Sequence, residues 1–203
     1  MSSKKLVLIG AGGHAKACIE IIESAGDFSI AKIVGQPPEL GLSILGHTIE
    51  HTDADLALLR EEYQYAFIGI GQIHNAEPRR EMHSKLLNLG FQLPAVISKH
   101  AIVSDYAKIG AGSIVMNGAI LNTDSKVERN VIINSASLVE HDVVVGDHCH
   151  VSPRVTINGG TTIGSGTFLG SGSVVRNGLE IGSNSFISMG SVITQSLPPN
   201  SVV

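Results

Sequence analysis

The chain has 203 residues, 43% of them hydrophobic, with 14 basic against 18 acidic side chains and a net charge of −4. That length suits one large domain or two small ones, and with no basic surplus in either half a nucleic-acid partner is excluded. Two cysteines, Cys18 and Cys149, are too few for a disulfide framework. With no signal-like start and no long apolar run, a cytoplasmic protein without a membrane partner is expected. The unusual numbers are 23 glycines, no tryptophan and 4% aromatics, so the core must be an array of aliphatic residues.

Residues 1–95 alternate strand and helix patterns. "KLVLIG" is a short apolar strand, "AGGH" a glycine turn, and "AKACIEIIESAG" a helix with Cys18, Ile19 and Ile22 on one face. "SIAKIVG" and "YAFIGIG" follow as strands, and "AEPRREMHSKLLNLG" as a second helix closed by Gly90. The alternation predicts a small Rossmann-like α/β domain with a parallel sheet. Gly10, Gly12 and Ala15 fit G-x-G-x-x-A between strand and helix, a place where Gly12, Gly13 and His14 would meet a phosphate. No acid ends the second strand, where Gly35, Gln36 and two prolines precede Glu39. A nucleotide-linked small molecule is therefore expected rather than a dinucleotide. Gly71 ends the third strand, where ligands enter open α/β sheets.

Residues 96–203 repeat every six positions, over 101–196. From Val103 to Ile193 every sixth residue is Val, Ile or Leu, sixteen in all over 91 residues. Two positions earlier twelve of the sixteen are Ala, Ser, Thr or Cys, and one position later eight are Gly or Asn. Short strands with an aliphatic residue inward, a small residue sharing that face and Gly or Asn at the corner make an all-β parallel β-helix of about five three-sided coils. A helical period cannot sustain six.

"LVLIGAGGHAK" followed by a hexapeptide solenoid containing "INSASLVEHDVVVGDHCHVSP" resembles the bacterial sugar acetyltransferases: the sialic-acid O-acetyltransferases and the N-acetyltransferases of nucleotide-linked 4-amino-sugars. The resemblance implies a left-handed solenoid, a homotrimer, acetyl-CoA between neighbouring solenoids, and a nucleotide-linked amino-sugar held by the α/β domain. It implies acetylation of the 4-amine of a 4-amino-4,6-dideoxy-sugar for a surface glycan, with a sialic-acid-like hydroxyl as the alternative. A non-catalytic scaffold is a remote alternative. Where the family commonly carries Asp after the second strand, this chain has Gly35 and Gln36. The family's Gly-x-Pro-Ala-Lys segment, expected near the coenzyme, does not occur before Val203.

Direct acetyl transfer needs a base and a donor for the developing oxyanion. No covalent nucleophile is needed, and no G-x-S-x-G occurs. His141 falls two places after the inward Val139, at a coil corner, and either Glu140 or Asp142 could hold its ring. The resemblance makes His141 the base and Asp142 its partner, and places Asn134 in the same site. His150, one before the inward Val151, is expected to project outward, and by resemblance it contacts the thioester region. Ser171 and Met189 match coenzyme-contacting positions. Gly159 and Gly160, one coil after His141, would leave room for the thiol arm. His148 is expected on the surface and Cys149 in the core. No metal is expected, because the spacing of His141, His148 and His150 does not fit a three-histidine zinc site shared between subunits.

Overall fold

A computed structural model describes residues 3–203. The chain divides into two compact units, residues up to Gly71 with Glu77–Val96, and Gln72–Ala76 with Ile97–Val203.

In the first unit the central strand β1 (Lys4–Ile9) pairs in parallel with β2 (Phe28–Val34) on one side and β5 (Tyr65–Ile68) on the other. Leu6 to Ile9 are at most 1% exposed, as a parallel strand covered on both faces requires. Helix α1 (Gly13–Ala25) starts inside the expected glycine turn, so His14 lies in its first turn, and it closes on Gly26 at φ +83°. Helix α3 (Glu77–Asn88) lies close to its predicted span. Between β2 and β5 the chain adds β3 (Ser43–Ile44), β4 (His47–His51) and α2 (Leu56–Glu62), none of them predicted. β4 extends the sheet in parallel beside β2, whereas β3 pairs antiparallel with β4. The sheet, ordered β3-β4-β2-β1-β5, is therefore mixed rather than wholly parallel. The reversal turns on Leu45 and Gly46, both at positive φ, without the Asn-Gly signature that marks such turns in sequence.

β1 lies where the strand order reverses, so β1 and β5 open a crevice at their carboxyl ends. Gly10 (φ +109°) and Gly69 face each other there, a Cβ on Gly10 falling 3.1 Å from the Gly69 carbonyl carbon. The end of β5 is held by Arg79, 1% exposed, whose Nη1 donates to the carbonyls of Ile68 (2.7 Å) and Ile70 (2.8 Å). Burial lowers the Arg79 pKa to about 10, and burial raises that of Cys18 to about 12.

Seventeen two-residue strands, from Val96–Ile97 at the boundary of the two units to Val192–Ile193, stack in parallel into three sheets, forming a parallel β-helix. Each residue pairs with the one eighteen positions on, as His150 does with Ile132 and Phe168. The first sheet runs from Val96 through Ile132 and His150 to Phe186, the second from Ile102 through Leu138 to Val192, and the third from Lys108 through Val144 to Glu180. The inward aliphatic residues form one column, with Cys149 inside it at 0% exposure.

The corners differ from expectation. Residues at positive φ recur every six positions from Gly112 to Gly190, three places after each inward aliphatic residue rather than one. Most are Gly, Asn or Asp, the residues that tolerate this region, and Asp142 is among them at +60°. The Gly one place after the aliphatic has another purpose. A Cβ on Gly146 would lie 2.8 Å from the backbone nitrogen of Ser165 in the next coil, so this Gly permits close stacking. Gly146→Ala should therefore cost about 1–3 kcal/mol of stability, read as a lowered Tm. Unchanged melting would contradict the stacking constraint.

Candidate active site

His141 and Asp142 occupy the corner between the second and third solenoid sheets. The imidazole Nδ1 lies 2.8 Å from Asp142 Oδ2, and both side chains are 64% exposed. A carboxylate only accepts, so Nδ1 carries the proton and Nε2 is left with its lone pair. Glu140, the other candidate partner, is engaged by Asn122 Nδ2 at 2.9 Å. The hydrogen bond to Asp142 raises the His141 pKa, outweighing the opposing effect of desolvation, with further support from the charges of Asp142 and Glu140.

Gly159 lies one coil on, and a Cβ there would come within 2.6 Å of His141 Cε1 and Nε2. The space that this glycine leaves is filled by the imidazole itself, not by the coenzyme arm expected from the sequence. The Gly160 N–H donates to the His141 carbonyl at 2.9 Å and ties the corner to the next coil. His141, Gly159, Asn158 and Arg176 line an open pocket of about 470 Å³.

A second cleft, mostly apolar and about 440 Å³, lies at the corner between the first and second sheets. His150, Ser171 and Met189 line it together, with Ile73, His74 and Phe168. Ser171 and Met189 are exposed, whereas His150, although it projects outward from the coil beside the inward Val151, is only 7% exposed. Segment Gln72–Ala76 covers it. The imidazole Nδ1 donates to the Gln72 carbonyl (2.5 Å), and Asn134 Nδ2 donates to Nε2 (3.1 Å). Phe168 meets the ring edge-on, Phe186 stacks on Phe168, and His74 stacks on Phe186.

Sequence reading missed Gln72, His74, Phe168 and Phe186. The two phenylalanines were within its reach, being one and two coils on from His150, but the irregular segment 72–76 carries no periodic signal. His148 is half-buried, with Nδ1 2.9 Å from Asn130 Nδ2. Among the described residues no group of three or more His, Cys, Asp or Glu could hold a metal ion.

In the first unit Gly12 and Gly13 at the α1 N-terminus are exposed, and a Cβ on either would meet nothing within 4 Å. Gly71 is exposed too, with its Cβ position 3.2 Å from that of His14. Gln36 is exposed at the end of β2, and its N–H donates to Glu39 Oε2 at 2.7 Å. The Glu39 carboxylate thereby stands 2.9 Å from where a side chain on Gly35 would begin. No helix among the described residues is long and apolar enough to cross a membrane.

An α/β unit joined to a hexapeptide β-helix, with a His–Asp pair on a solenoid corner, defines a hexapeptide acyltransferase. Residues 5–86 match the PglD N-terminal domain, and residues 160–195 match the bacterial transferase hexapeptide of six repeats. The fold is similar to PerB from Caulobacter crescentus in complex with CoA and GDP-perosamine. Identity is 33%, with a TM-score of 0.90 over 97% of this chain and 92% of that one. It is also similar to the acetyltransferase domain of PglB from Neisseria gonorrhoeae in complex with acetyl coenzyme A. There identity is 32%, with a TM-score of 0.90 over 99% and 96%. WeeI from Acinetobacter baumannii, at 19% identity and a TM-score of 0.59, shares the fold. No curated protein sequence matches. The chain belongs to the hexapeptide-repeat sugar acetyltransferases that carry a PglD-type N-terminal domain.

A raised pKa means that His141 gives up its proton at higher pH than an ordinary imidazole. Asp142→Asn removes the charged acceptor, so the His141 titration should move to lower pH in an NMR titration. An unmoved midpoint would assign the shift to another group.

Proposed function

We propose that the protein transfers an acetyl group from acetyl-CoA to the 4-amine of a nucleotide-linked 4-amino-4,6-dideoxy-sugar, for surface glycan synthesis. The observation that carries this reading is the His141–Asp142 pair, bonded at 2.8 Å over a glycine, in a chain of this family. The amine nitrogen attacks the thioester carbonyl while its proton passes to His141 Nε2. The tetrahedral intermediate then collapses, the C–S bond breaks, and the departing thiolate takes up a proton. His141 is the general base, and Asp142 keeps its ring in the tautomer that leaves Nε2 free to accept.

The apolar cleft beside His150, Ser171 and Met189 suits the pantetheine arm of the coenzyme, whose thioester supplies the acetyl group. Gly12, Gly13, His14 and Gly71 would take the nucleotide-sugar, its diphosphate at the α1 N-terminus, with Gln36 close to the nucleoside.

The two halves of this chemistry lie on opposite edges of the second solenoid sheet. His141 is at one edge, and the coenzyme cleft is at the other. Between them the outward face of that sheet is a ladder of Ile102, Ile120, Leu138, Thr156, Val174 and Val192, with Ile102 65% and Val192 70% exposed. A cyclic homotrimer buries these faces and brings the His141 edge of one chain to the cleft of its neighbour.

Assays with acetyl-CoA and UDP-, dTDP- and GDP-linked 4-amino-sugars test the reading. One of these should turn over, and His141→Ala should lower kcat/KM about 10²–10⁴-fold while acetyl-CoA binding persists. The residual rate should rise with pH, as more of the sugar amine is already deprotonated. Near-normal activity in His141→Ala would place the base elsewhere.

A further inference from the structure

Both ring nitrogens of His150 are engaged by partners whose chemistry admits one assignment. The Gln72 carbonyl only accepts, so Nδ1 carries the proton. The Asn134 amide nitrogen only donates, so Nε2 offers its lone pair. Asn134 cannot be turned round, because its Oδ1 already accepts the Ser135 N–H at 2.8 Å. Gln72 is itself fixed. It is 4% exposed, and its Nε2 donates to the His148 carbonyl at 3.0 Å. Flipping that amide would set oxygen against oxygen. The Phe168 ring, 5.3 Å from the His150 ring centre, closes off a swing of the imidazole.

An imidazole held in this way has no nitrogen to spare for the coenzyme. It cannot serve as acid or base without breaking a bond to its own chain. What it does instead is hold the side-chain amide of Asn134. That amide has two N–H bonds, of which His150 takes one.

Resting on the acetyltransferase reading above, we infer that His150 is a positioning residue. Its tautomer is fixed by the Gln72 carbonyl, and its Nε2 orients Asn134 so that the second Asn134 N–H donates to the thioester oxygen as that oxygen becomes negative. Asn134 is then a catalytic residue, an oxyanion donor prearranged by a side chain that never touches the reacting atoms. Gln72, which immediately follows Gly71 in sequence, acts on the reaction only through His150.

The tautomer can be read on the full chain by nitrogen-15 NMR of labelled histidine, with the His150 signals identified by their loss in His150→Gln. A protonated Nδ1 and an unprotonated Nε2 are expected at neutral pH. In kinetics, Asn134→Ala should lower kcat about 10²–10³-fold, the usual cost of one oxyanion donor, with the acetyl-CoA KM little changed. His150→Ala should give the same split, and the double variant should be no slower than the slower single one, because both remove one device. Protonated Nε2 in the wild type would overturn the inference. So would losses that multiply in the double variant, or a His150→Ala variant altered only in acetyl-CoA KM. A wild-type chain that acetylates no nucleotide-linked amino-sugar would refute the proposed function and with it the role of Asn134. The NMR result would still decide the tautomer.

Discussion

Everything in the second unit depends on the eighteen-residue register between coils. Parallel pairing of each strand with those one coil before and after puts aliphatic side chain on aliphatic side chain through the whole column. A slip of one residue would turn that column outward and the polar face inward, so the register is enforced along the full stack. Corners become positions of defined geometry as a result, and side chains there can be placed as accurately as those of a strand.

His141 shows how the site exploits this. Its ring lies against the backbone of the coil that follows, where only glycine leaves room, and the Gly160 N–H holds its carbonyl. Asp142 reaches the ring from a left-handed corner that the repeat requires in any case, and Asp tolerates that conformation better than most residues. The His141–Asp142 pair thus costs the solenoid little distortion. Both side chains remain largely exposed, so the imidazole is accessible from solvent.

The solenoid was legible because its signal is a strict period, repeated sixteen times in Val, Ile and Leu. That same signal misplaced the left-handed corner by two residues. Glycine after the aliphatic position was read as a turn former, whereas it serves close approach between coils. In the first unit, β1, β2 and α1 were legible from apolar runs and glycines. β3, β4 and α2 were not, being short and joined by a turn of atypical composition. For the site, corner arithmetic placed His141 at a coil corner and Gly159 one coil on, where the structure has them. It could not foresee that Gln72, remote in sequence and outside any repeat, engages His150 Nδ1, so that with Asn134 on Nε2 both ring nitrogens are spent within the chain.

The proposed trimer joins the His141 edge of one solenoid to the coenzyme cleft of another across the apolar second sheet. It is tested most directly by mixing two variants, each defective in one half. His141→Ala lacks the base and Ser171→Trp plugs the cleft, so each alone should be nearly inactive. Trimers assembled from both should recover activity, because some interfaces then pair an intact histidine edge with an intact cleft. Mixed trimers that form and yet remain as inactive as their parents would contradict the account.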